Sequence, residues 1–428
     1  MIHIRIMRAN FAKHNSKTPG GELQVRIDKL VYGGEGLGRQ DGRVIFVPFS
    51  APGDTLVVQT LESRKGFARA EIREILQPGS SRRMPACRHF GVCGGCHWQH
   101  VEYCTQLEAK RNILEETFRH RFPETRNLEI GIKPSPAEYG YRSRARIQVR
   151  HSATGLRLGF YRMRSHAVEQ IEACPLLRPS LNGALAALRD RFEKSPPSVG
   201  VRDLEIISCE DARKWTCASP GNEGECSIAP GFPGAEEDCL LVRKVQGIAY
   251  SVSPLSFFQA NDFMVSDLVS CVMSLVQAAG PRSALDLYGG VGLFSLPIAQ
   301  QAKEVVSVES APIASGLCRA NAAAAGLDNV RVVQAEAGDW LNSAGAPPAP
   351  GVDLVLLNPP RTGAGRAIMD LLPRIGAETI IYVSCDPQTL ARDLGILRER
   401  GYRIDFVEGL DLFPQTYHFE TVVRLLRG

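Results

Sequence analysis

The sequence predicts an α/β protein whose C-terminal part folds as a Rossmann-like, doubly wound sheet, preceded by a small N-terminal β-barrel and a central α+β region. Three observations support this division. Short strands separated by turn signals fill residues 18–80, and a cysteine cluster and a helical stretch open residues 81–250. Strands alternate with helices over residues 251–428. Residues 1–17 form a short basic tail, and 428 residues suffice for two or three domains.

Composition and charge exclude several classes of protein. The hydrophobic fraction of 44% and the charged fraction of 22% exclude wholesale disorder and a fibrous chain. The net charge of +4 is close to balance, so total charge identifies no partner. No apolar run approaches the roughly 20 residues that span a bilayer, and the N-terminus lacks the pattern of a signal peptide. We therefore expect a soluble cytoplasmic protein. It has 12 cysteines, and in such a protein clustered cysteines indicate metal binding or catalysis rather than disulfides.

The barrel is predicted from four short strands, at residues 23–27, 43–48, 55–59 and 68–75, with a glycine-rich turn at 33–38. Several strands in fewer than about 70 residues favour a small barrel. Such barrels often bind single-stranded nucleic acid, although a purely structural barrel fits the pattern equally well.

A cysteine cluster opens the central region. The candidate metal ligands are Cys87, Cys93, Cys96 and Cys174. Four thiolates suit either zinc or an iron–sulfur cluster. The single close Cys-x2-Cys pair, with a distant cysteine before Pro175, favours a [4Fe–4S] cluster over zinc. Cys104, His97 and His100 are alternative ligands that we consider weaker.

Residues 139–168 carry a basic patch without any Asp or Glu. The patch also contains four aromatic residues, and its arginines are Arg142, Arg144, Arg146, Arg150, Arg157, Arg162 and Arg164. Arginines contact phosphates and aromatic rings stack on unpaired bases, so this stretch predicts nucleic-acid binding rather than only a solvated face. Residues 211–238, rich in Gly, Pro, Ser and acidic residues, are predicted to form a long surface loop without a metal site.

The C-terminal region contains a nucleotide-type site. A glycine loop at 286–294 lies between a strand and a helix, and Glu309 ends the next strand, 19 residues after Gly290. A carboxylate at that place can accept hydrogen bonds from a ribose. The loop is shorter than the dinucleotide fingerprint, which favours S-adenosylmethionine (SAM) over NAD.

Two further loops follow strand ends on the same edge of the sheet. Asn358, Pro359, Pro360 and Arg361 are similar to the Asn-Pro-Pro-aromatic motif of adenine amino-methyltransferases, although Arg361 replaces the aromatic residue. Cys385 follows a buried strand and is a candidate nucleophile. Near the C-terminus, Glu420 and His418 are candidates for proton transfer.

Together these motifs resemble the RNA uridine-5-methyltransferase family over nearly the whole chain. The N-terminal segment looks like its RNA-binding TRAM domain, and the four cysteines are similar to its [4Fe–4S] ligands. Residues 257–261 resemble its Phe-Gln-x-Asn element, residues 382–393 its nucleophile segment, and residues 411–420 the segment that ends in its catalytic glutamate.

The resemblance implies that Cys385 adds to carbon 6 of uracil and that Glu420 removes the proton from carbon 5. The implied SAM contacts are Gln259, Tyr288, Glu309, Glu336 and Asn358. Gly289 replaces a cysteine found in many relatives, and Asn358 an aspartate found in some. The expected substrate is 23S ribosomal RNA. Alternatives are a transfer RNA, adenine methylation through the Asn358 motif, and a non-catalytic iron–sulfur RNA-binding protein.

Overall fold

In the computed structural model, the N-terminal strands close into a five-stranded barrel of order β1-β2-β3-β5-β4. The strands are β1 (Glu22–Leu30), β2 (Glu35–Gln40), β3 (Arg43–Pro48), β4 (Thr55–Arg64) and β5 (Phe67–Gln77). The described residues are 21–152, 155–195, 201–209, 214–220, 226–227, 240–343 and 351–428, so the predicted basic tail lies outside them. Alternate apolar side chains, such as Val25 and Ile27 of β1, fill the barrel interior.

The glycine-rich segment corrects one expectation. Residues 35–38 are not part of a turn; they belong to strand β2, and only the preceding residues turn. A Cβ atom on Gly38 would lie 2.2 Å from the carbonyl oxygen of Arg26 on β1, so glycine is required for the two strands to pair this closely.

The central region contains a six-stranded sheet of order β12-β11-β10-β7-β8-β9. Its elements are α1 (Tyr103–Arg121), a 3-10 turn (Pro123–Asn127), β6 (Gly131–Lys133), β7 (Arg144–Ser152), β8 (Gly155–Tyr161), β9 (Val168–Gln170), α2 (Pro179–Lys194), β10 (Asp203–Cys209), β11 (Lys214–Pro220) and β12 (Cys226–Ser227). Helix α2 packs Leu181, Leu185 and Leu188 on the sheet. Because β11 and β12 lie within 211–238, the prediction of one long loop there was wrong.

The C-terminal region is built on an eight-stranded sheet of order β17-β16-β15-β18-β19-β21-β20-β6. Its elements are β13 (Leu241–Val245), β14 (Ile248–Val252), α3 (Val265–Ala279), β15 (Ser283–Leu287), α4 (Ser295–Ala299), β16 (Glu304–Glu309), α5 (Pro312–Ala324), β17 (Val330–Gln334), α6 (Ala337–Leu341), β18 (Leu354–Leu357), α7 (Gly365–Ile375), β19 (Thr379–Ser384), α8 (Pro387–Glu399), β20 (Tyr402–Leu410) and β21 (Glu420–Arg427). Strands β15 to β19 are parallel, as predicted, and β21 runs antiparallel to β19.

Helices cover both faces of this sheet, so its central strands are buried on both sides. All four residues of β18 and all six of β19 are buried, which explains their continuous apolar sequence. Within the described residues, no helix combines the length and the apolar character that a membrane span requires.

Strand β6 and helix α1 join the central region to the C-terminal sheet. Strand β6 pairs with β20 as the last strand of that sheet. Helix α1 packs in the same apolar core, and its Lys110 ammonium lies 2.6 Å from the Asp411 carboxylate, with both side chains fully buried. The C-terminal half of the fold therefore includes residues that precede the central sheet.

Replacing Lys110 with methionine should lower the free energy of unfolding by about 3–5 kcal/mol, because it leaves the Asp411 carboxylate buried without its partner. Urea denaturation measures the free energy of unfolding of each variant. A matched control is Lys29→Met, which removes the exposed Lys29–Glu116 pair and should change stability little. If both variants lost the same free energy of unfolding, burial of the Lys110–Asp411 pair would not explain its contribution to stability.

Candidate active site

The predicted site residues lie along one edge of the C-terminal sheet. Glu309 ends β16, Asn358 follows β18, and Cys385 follows β19, so all three stand at the carboxyl ends of parallel strands. Strand β21 is antiparallel to β19, with Ser384 opposite Thr421, so Glu420 at its start reaches the same edge. This is the edge at which open α/β sheets bind ligands.

The glycine loop after β15 turns sharply. Tyr288, Gly290 and Gly292 all have positive φ angles, of 64°, 57° and 94°. A Cβ atom on Gly289 would lie 2.1 Å from the Ser307 hydroxyl oxygen, which explains why no larger residue stands there in this chain. Glu309 supports the loop, because its Oε2 accepts a hydrogen bond of 2.9 Å from the Gly290 amide.

The remaining candidate SAM contacts differ in their exposure to solvent. Gln259 is 3% exposed. Glu336 is exposed at the start of α6. Burial raises the pKa of Tyr288 to about 12, and the Glu336 charge adds to the rise. The backbone amide of Asn358 donates a hydrogen bond of 3.4 Å to the Leu287 carbonyl at the end of β15.

Cys385 lies between the end of β19 and the start of α8. Burial raises the pKa of its thiol to about 12, the Glu420 carboxylate adds to the rise, and the Arg361 guanidinium opposes it. Asp386 caps α8, because its Oδ1 accepts hydrogen bonds from the amides of Gln388 and Thr389.

Glu420 is almost fully buried. Burial raises the pKa of its carboxyl to about 7, and the Arg361 guanidinium opposes that rise. Within the described part of the chain, its Oε2 has no hydrogen-bond partner. A buried carboxyl that titrates near neutral pH can accept a proton during a reaction, which fits a general base.

Arg361 supplies positive charge to this site. Its side chain is exposed, and it makes no ion pair with any described residue. Its charge acts on Cys385, Glu420 and His418. The loop that carries it is held by Asp393, whose Oδ2 accepts hydrogen bonds from Ala364 and Gly365.

Four rings form a cluster beside the site. The sequence analysis named two of them, His418 for proton transfer and His97 as an alternative metal ligand. Tyr417 lies 4.6 Å from His97, 4.1 Å from His418 and 5.1 Å from Tyr32 between ring centroids. Burial lowers the pKa of His97 to about 4 and of His418 to about 3, with Arg361 adding to both shifts. Both shifts favour the neutral imidazole at pH 7, and that of His418 argues against its serving as a cationic acid.

The barrel reaches this site through Tyr32. Its hydroxyl donates a hydrogen bond of 2.7 Å to Asp386 Oδ2, next to the candidate nucleophile. The indole of Trp98 holds the adjoining turn by donating to the Gly34 carbonyl at 3.1 Å. Three regions of the chain thus meet at one site.

Alkylation of Cys385 by iodoacetamide should be slow at neutral pH, because a thiol with a pKa of about 12 is almost wholly protonated. Arg361→Met should slow it further, and Glu420→Gln should accelerate it, since the two charges shift the pKa in opposite directions. Mass spectrometry of the Cys385 peptide measures each rate. Because Glu420 loses its proton near pH 7, the acceleration should grow above that pH. Indistinguishable rates in the two variants would contradict this electrostatic assignment.

The four predicted ligand cysteines converge. Cys87, Cys93, Cys96 and Cys174 line one cavity of about 230 Å³. Burial raises the pKa of Cys93 to about 12 and that of Cys174 above its usual range. Among the described residues, however, no group of three or more His, Cys, Asp or Glu is arranged as a metal site, so neither zinc nor a cluster is shown.

The alternative ligands have other surroundings. Cys104 is exposed on the first turn of α1. The ring of His100 is buried and its Nε2 lies 3.1 Å from the Ser50 carbonyl oxygen, whereas His97 contacts Tyr417 edge to face.

The basic patch is less free than its sequence indicates. Arg146 pairs with Asp203 at 2.8 Å and Arg164 with Glu35 at 3.0 Å, so acids from distant segments neutralise part of it. Arg144 bonds the Ser256 carbonyl instead of pointing to solvent. A large cavity of about 1020 Å³ nevertheless runs between the barrel and this patch. Its lining includes Phe160, Tyr161, Arg146, Arg162, Arg164, His97 and Tyr417.

Comparison with protein families gives two matches. The tRNA (uracil-5-)-methyltransferase family model matches residues 237–345 and 350–428. The TRAM domain model matches residues 16–72, which confirms the predicted nature of the barrel.

Similar proteins and structures agree with these matches. The chain is 32% identical to the 23S rRNA (uracil(1939)-C(5))-methyltransferase RlmD of Alkalilimnicola ehrlichii, over 96% of this chain and 98% of that protein. It is also 32% identical to RlmD of Pectobacterium atrosepticum, over 95% and 94%. The crystal structure of Pyrococcus abyssi tRNA (uracil-54, C5)-methyltransferase with S-adenosyl-L-homocysteine superposes with a TM-score of 0.72, at 25% identity, over 94% of this chain and 100% of that one. The chain therefore belongs to the RNA uracil-5-methyltransferase family, with a TRAM domain at its N-terminal end.

Proposed function

We propose that this protein uses SAM to methylate carbon 5 of a specific uridine in 23S ribosomal RNA, with Cys385 as nucleophile and Glu420 as base. The observation that carries the proposal is the placement of these two residues at one sheet edge, close enough for the Glu420 charge to raise the pKa of Cys385. Family membership supplies the reaction, and this pair supplies the groups that the reaction needs.

The chemistry follows from the weak nucleophilicity of carbon 5. Addition of the Cys385 thiolate to carbon 6 moves the double-bond electrons toward the carbonyl at carbon 4 and makes carbon 5 nucleophilic. When bound, SAM supplies the methyl group that carbon 5 takes. Glu420 then removes the carbon 5 proton, the double bond re-forms, and Cys385 leaves. Arg361 assists the first step, because its charge favours the thiolate over the thiol.

We propose that the SAM site comprises Gln259, Tyr288, Glu309, Glu336 and Asn358. The donor chemistry fits. Each carboxylate oxygen of Glu309 accepts one backbone amide, from Gly290 and from Ala311, and keeps a second lone pair for a ribose hydroxyl. We assign the exposed carboxylate of Glu336, whose charge acts on Tyr288, to the adenosine end of SAM.

We propose that Cys87, Cys93, Cys96 and Cys174 hold a [4Fe–4S] cluster. Their shared cavity and four-sulfur donor set support the assignment, since buried thiols with raised pKa values become thiolates when a metal binds. When bound, a cluster would join the segment at 87–96 to the segment before α2. Its role would be structural, because methyl transfer needs no electron transfer.

Metal analysis of anaerobically purified protein tests this assignment. We expect about four iron and four sulfide per chain, with loss of both in Cys93→Ser. Cys217→Ser is the matched control, because Cys217 is also buried but belongs to the β11 strand. One zinc per chain without iron would instead support the zinc alternative.

The RNA would occupy the cavity between the barrel and the central sheet. Arg162, Arg164 and the neighbouring aromatic rings line it, and Tyr417 at its end adjoins the active site. We therefore assign residues 18–80 and 81–250 to RNA binding, with the cluster in the second, and residues 251–428 to catalysis. Cytoplasmic localisation stays a prediction.

Methylation of unmodified total RNA tests the substrate. We expect label from SAM to enter 23S ribosomal RNA as 5-methyluridine. Label in the transfer RNA fraction would favour the second candidate, which the likeness to the Pyrococcus abyssi enzyme supports. Methyladenosine would revive the Asn358 alternative, and RNA binding without any transfer would favour the non-catalytic one.

A further inference from the structure

The loop between β20 and β21, residues 411–419, covers the catalytic edge. The sheet holds both of its ends, because Leu410 and Glu420 are paired across the two strands. Its tip, Gln415, is fully buried and has a φ angle of 69°, which a residue with a side chain adopts at a cost. Such a conformation persists only where surrounding contacts enforce it.

The contacts that enforce it come from the central region. The Gln415 carbonyl accepts hydrogen bonds from the amides of His97 and Trp98, at 2.9 and 3.0 Å, directly after Cys96. The backbone amide of Gln415 donates to Gln106 Oε1, and the side-chain Oε1 of Gln415 accepts from Gln106 Nε2, both at 3.0 Å.

Two further bonds complete this arrangement. The Gln415 Nε2 donates to Glu138 at 3.0 Å, and Arg83 donates to its Oε1 at 3.3 Å. The side chain of Gln415 is thus held by α1 and its neighbouring segments, all of which lie outside the C-terminal part of the chain.

The residues after this tip form the roof of the site. Tyr417 and His418 stack on each other at 4.1 Å, and Tyr417 also contacts His97 at 4.6 Å between ring centroids. Phe419 is fully buried next to Glu420. Glu420 directly follows these residues and is only 4% exposed, so displacement of the loop would be expected to expose its carboxylate to water.

We propose that Gln415 is a positioning residue, which ties the roof over Glu420 to the segment that follows Cys96 and so keeps the catalytic carboxylate out of water. This inference rests on the proposed function, because it takes Glu420 as the base. It gives the cysteine-bearing region a part in the chemical step besides RNA binding.

Gln415→Met tests the inference, because methionine keeps the side-chain volume and the backbone bonds but loses every side-chain hydrogen bond. We expect kcat to fall by about tenfold to a hundredfold, with the KM for RNA and the Kd for SAM nearly unchanged. The acid limb of the pH–kcat profile should move to lower pH, because a hydrated Glu420 has a more ordinary pKa. A covalent protein–RNA complex should also accumulate, because Cys385 still adds while proton removal is slow.

The control is Leu188→Ala, which leaves a cavity at a fully buried position of the α2 core. It shows the effect of a general loss of stability without changing the contacts of Gln415. It should lower activity without moving the acid limb or trapping a complex. Gln106→Leu removes the hydrogen bond to Gln415 from the α1 side and should reproduce the Gln415→Met effects. This second variant keeps the inference testable if Gln415→Met does not fold. An unmoved acid limb in either tie variant would overturn the inference. Absence of 5-methyluridine with the wild-type protein would instead overturn the proposed function.

Discussion

Cys385→Ala should abolish methyl transfer, by more than about a thousandfold, while SAM still binds with its wild-type affinity. Without addition to carbon 6, carbon 5 of uracil has too little electron density to take a methyl group. The side chain lies beyond the end of β19 in a loop whose backbone is fixed by the Asp386 cap, so its loss should leave the sheet edge intact. Labelled SAM with mass spectrometry of the nucleosides measures the transfer, and calorimetry measures SAM affinity.

The matched control is Cys104→Ser, which changes an exposed thiol on α1 and should retain full activity. Survival of 5-methyluridine in the Cys385→Ala variant would exclude the covalent mechanism. Loss of both activity and SAM affinity would show that the substitution had damaged the sheet edge rather than removed a nucleophile.

Glu420→Gln should trap the reaction halfway, with turnover reduced by about a hundredfold to ten-thousandfold. The amide is nearly the same size as the carboxyl, so the buried site should accept it, but it cannot take the carbon 5 proton. Cys385 then remains bonded to carbon 6 after the methyl group has been transferred. We expect a protein–RNA complex that survives denaturing electrophoresis and carries label from SAM.

The double variant Cys385→Ala/Glu420→Gln should form no such complex, which identifies the bonded residue. An unlabelled complex would place Glu420 before methyl transfer rather than after it. No complex and no transfer in the single variant would indicate that Glu420 is needed to ionise Cys385, a role that its pKa of about 7 also permits.

Much of the fold and of the active-site edge could be predicted because the signals are local. The strand ends at Glu309 and Cys385 follow from short apolar runs bounded by polar residues, and parallel strands bring such ends together. The TRAM barrel likewise follows from alternating residues in successive strands, and the family match confirms it.

The parts that could not be predicted depend on contacts between distant segments. Tyr32 and Asp386 are separated by 354 residues, so no local pattern links the barrel to the loop that carries Cys385. The arginine patch looked free of acids because its partners, Glu35 and Asp203, lie outside it in sequence. Gln415 lies in the segment 411–420 that carries the resemblance, but nothing in that segment distinguishes it from its neighbours. Its positive φ and its tertiary hydrogen bonds are visible only in the structure.

The pairing of β6 with β20 has a consequence for how the chain assembles. Without Gly131–Lys133, the backbone of β20 would be left as an unprotected sheet edge, which favours intermolecular strand pairing and aggregation. Residues 251–428 alone would therefore lack the strand that shields this edge. Because β6 is synthesised early and β20 late, the sheet closes only after a long intervening chain has been ordered, at an entropic cost that grows slowly with its length.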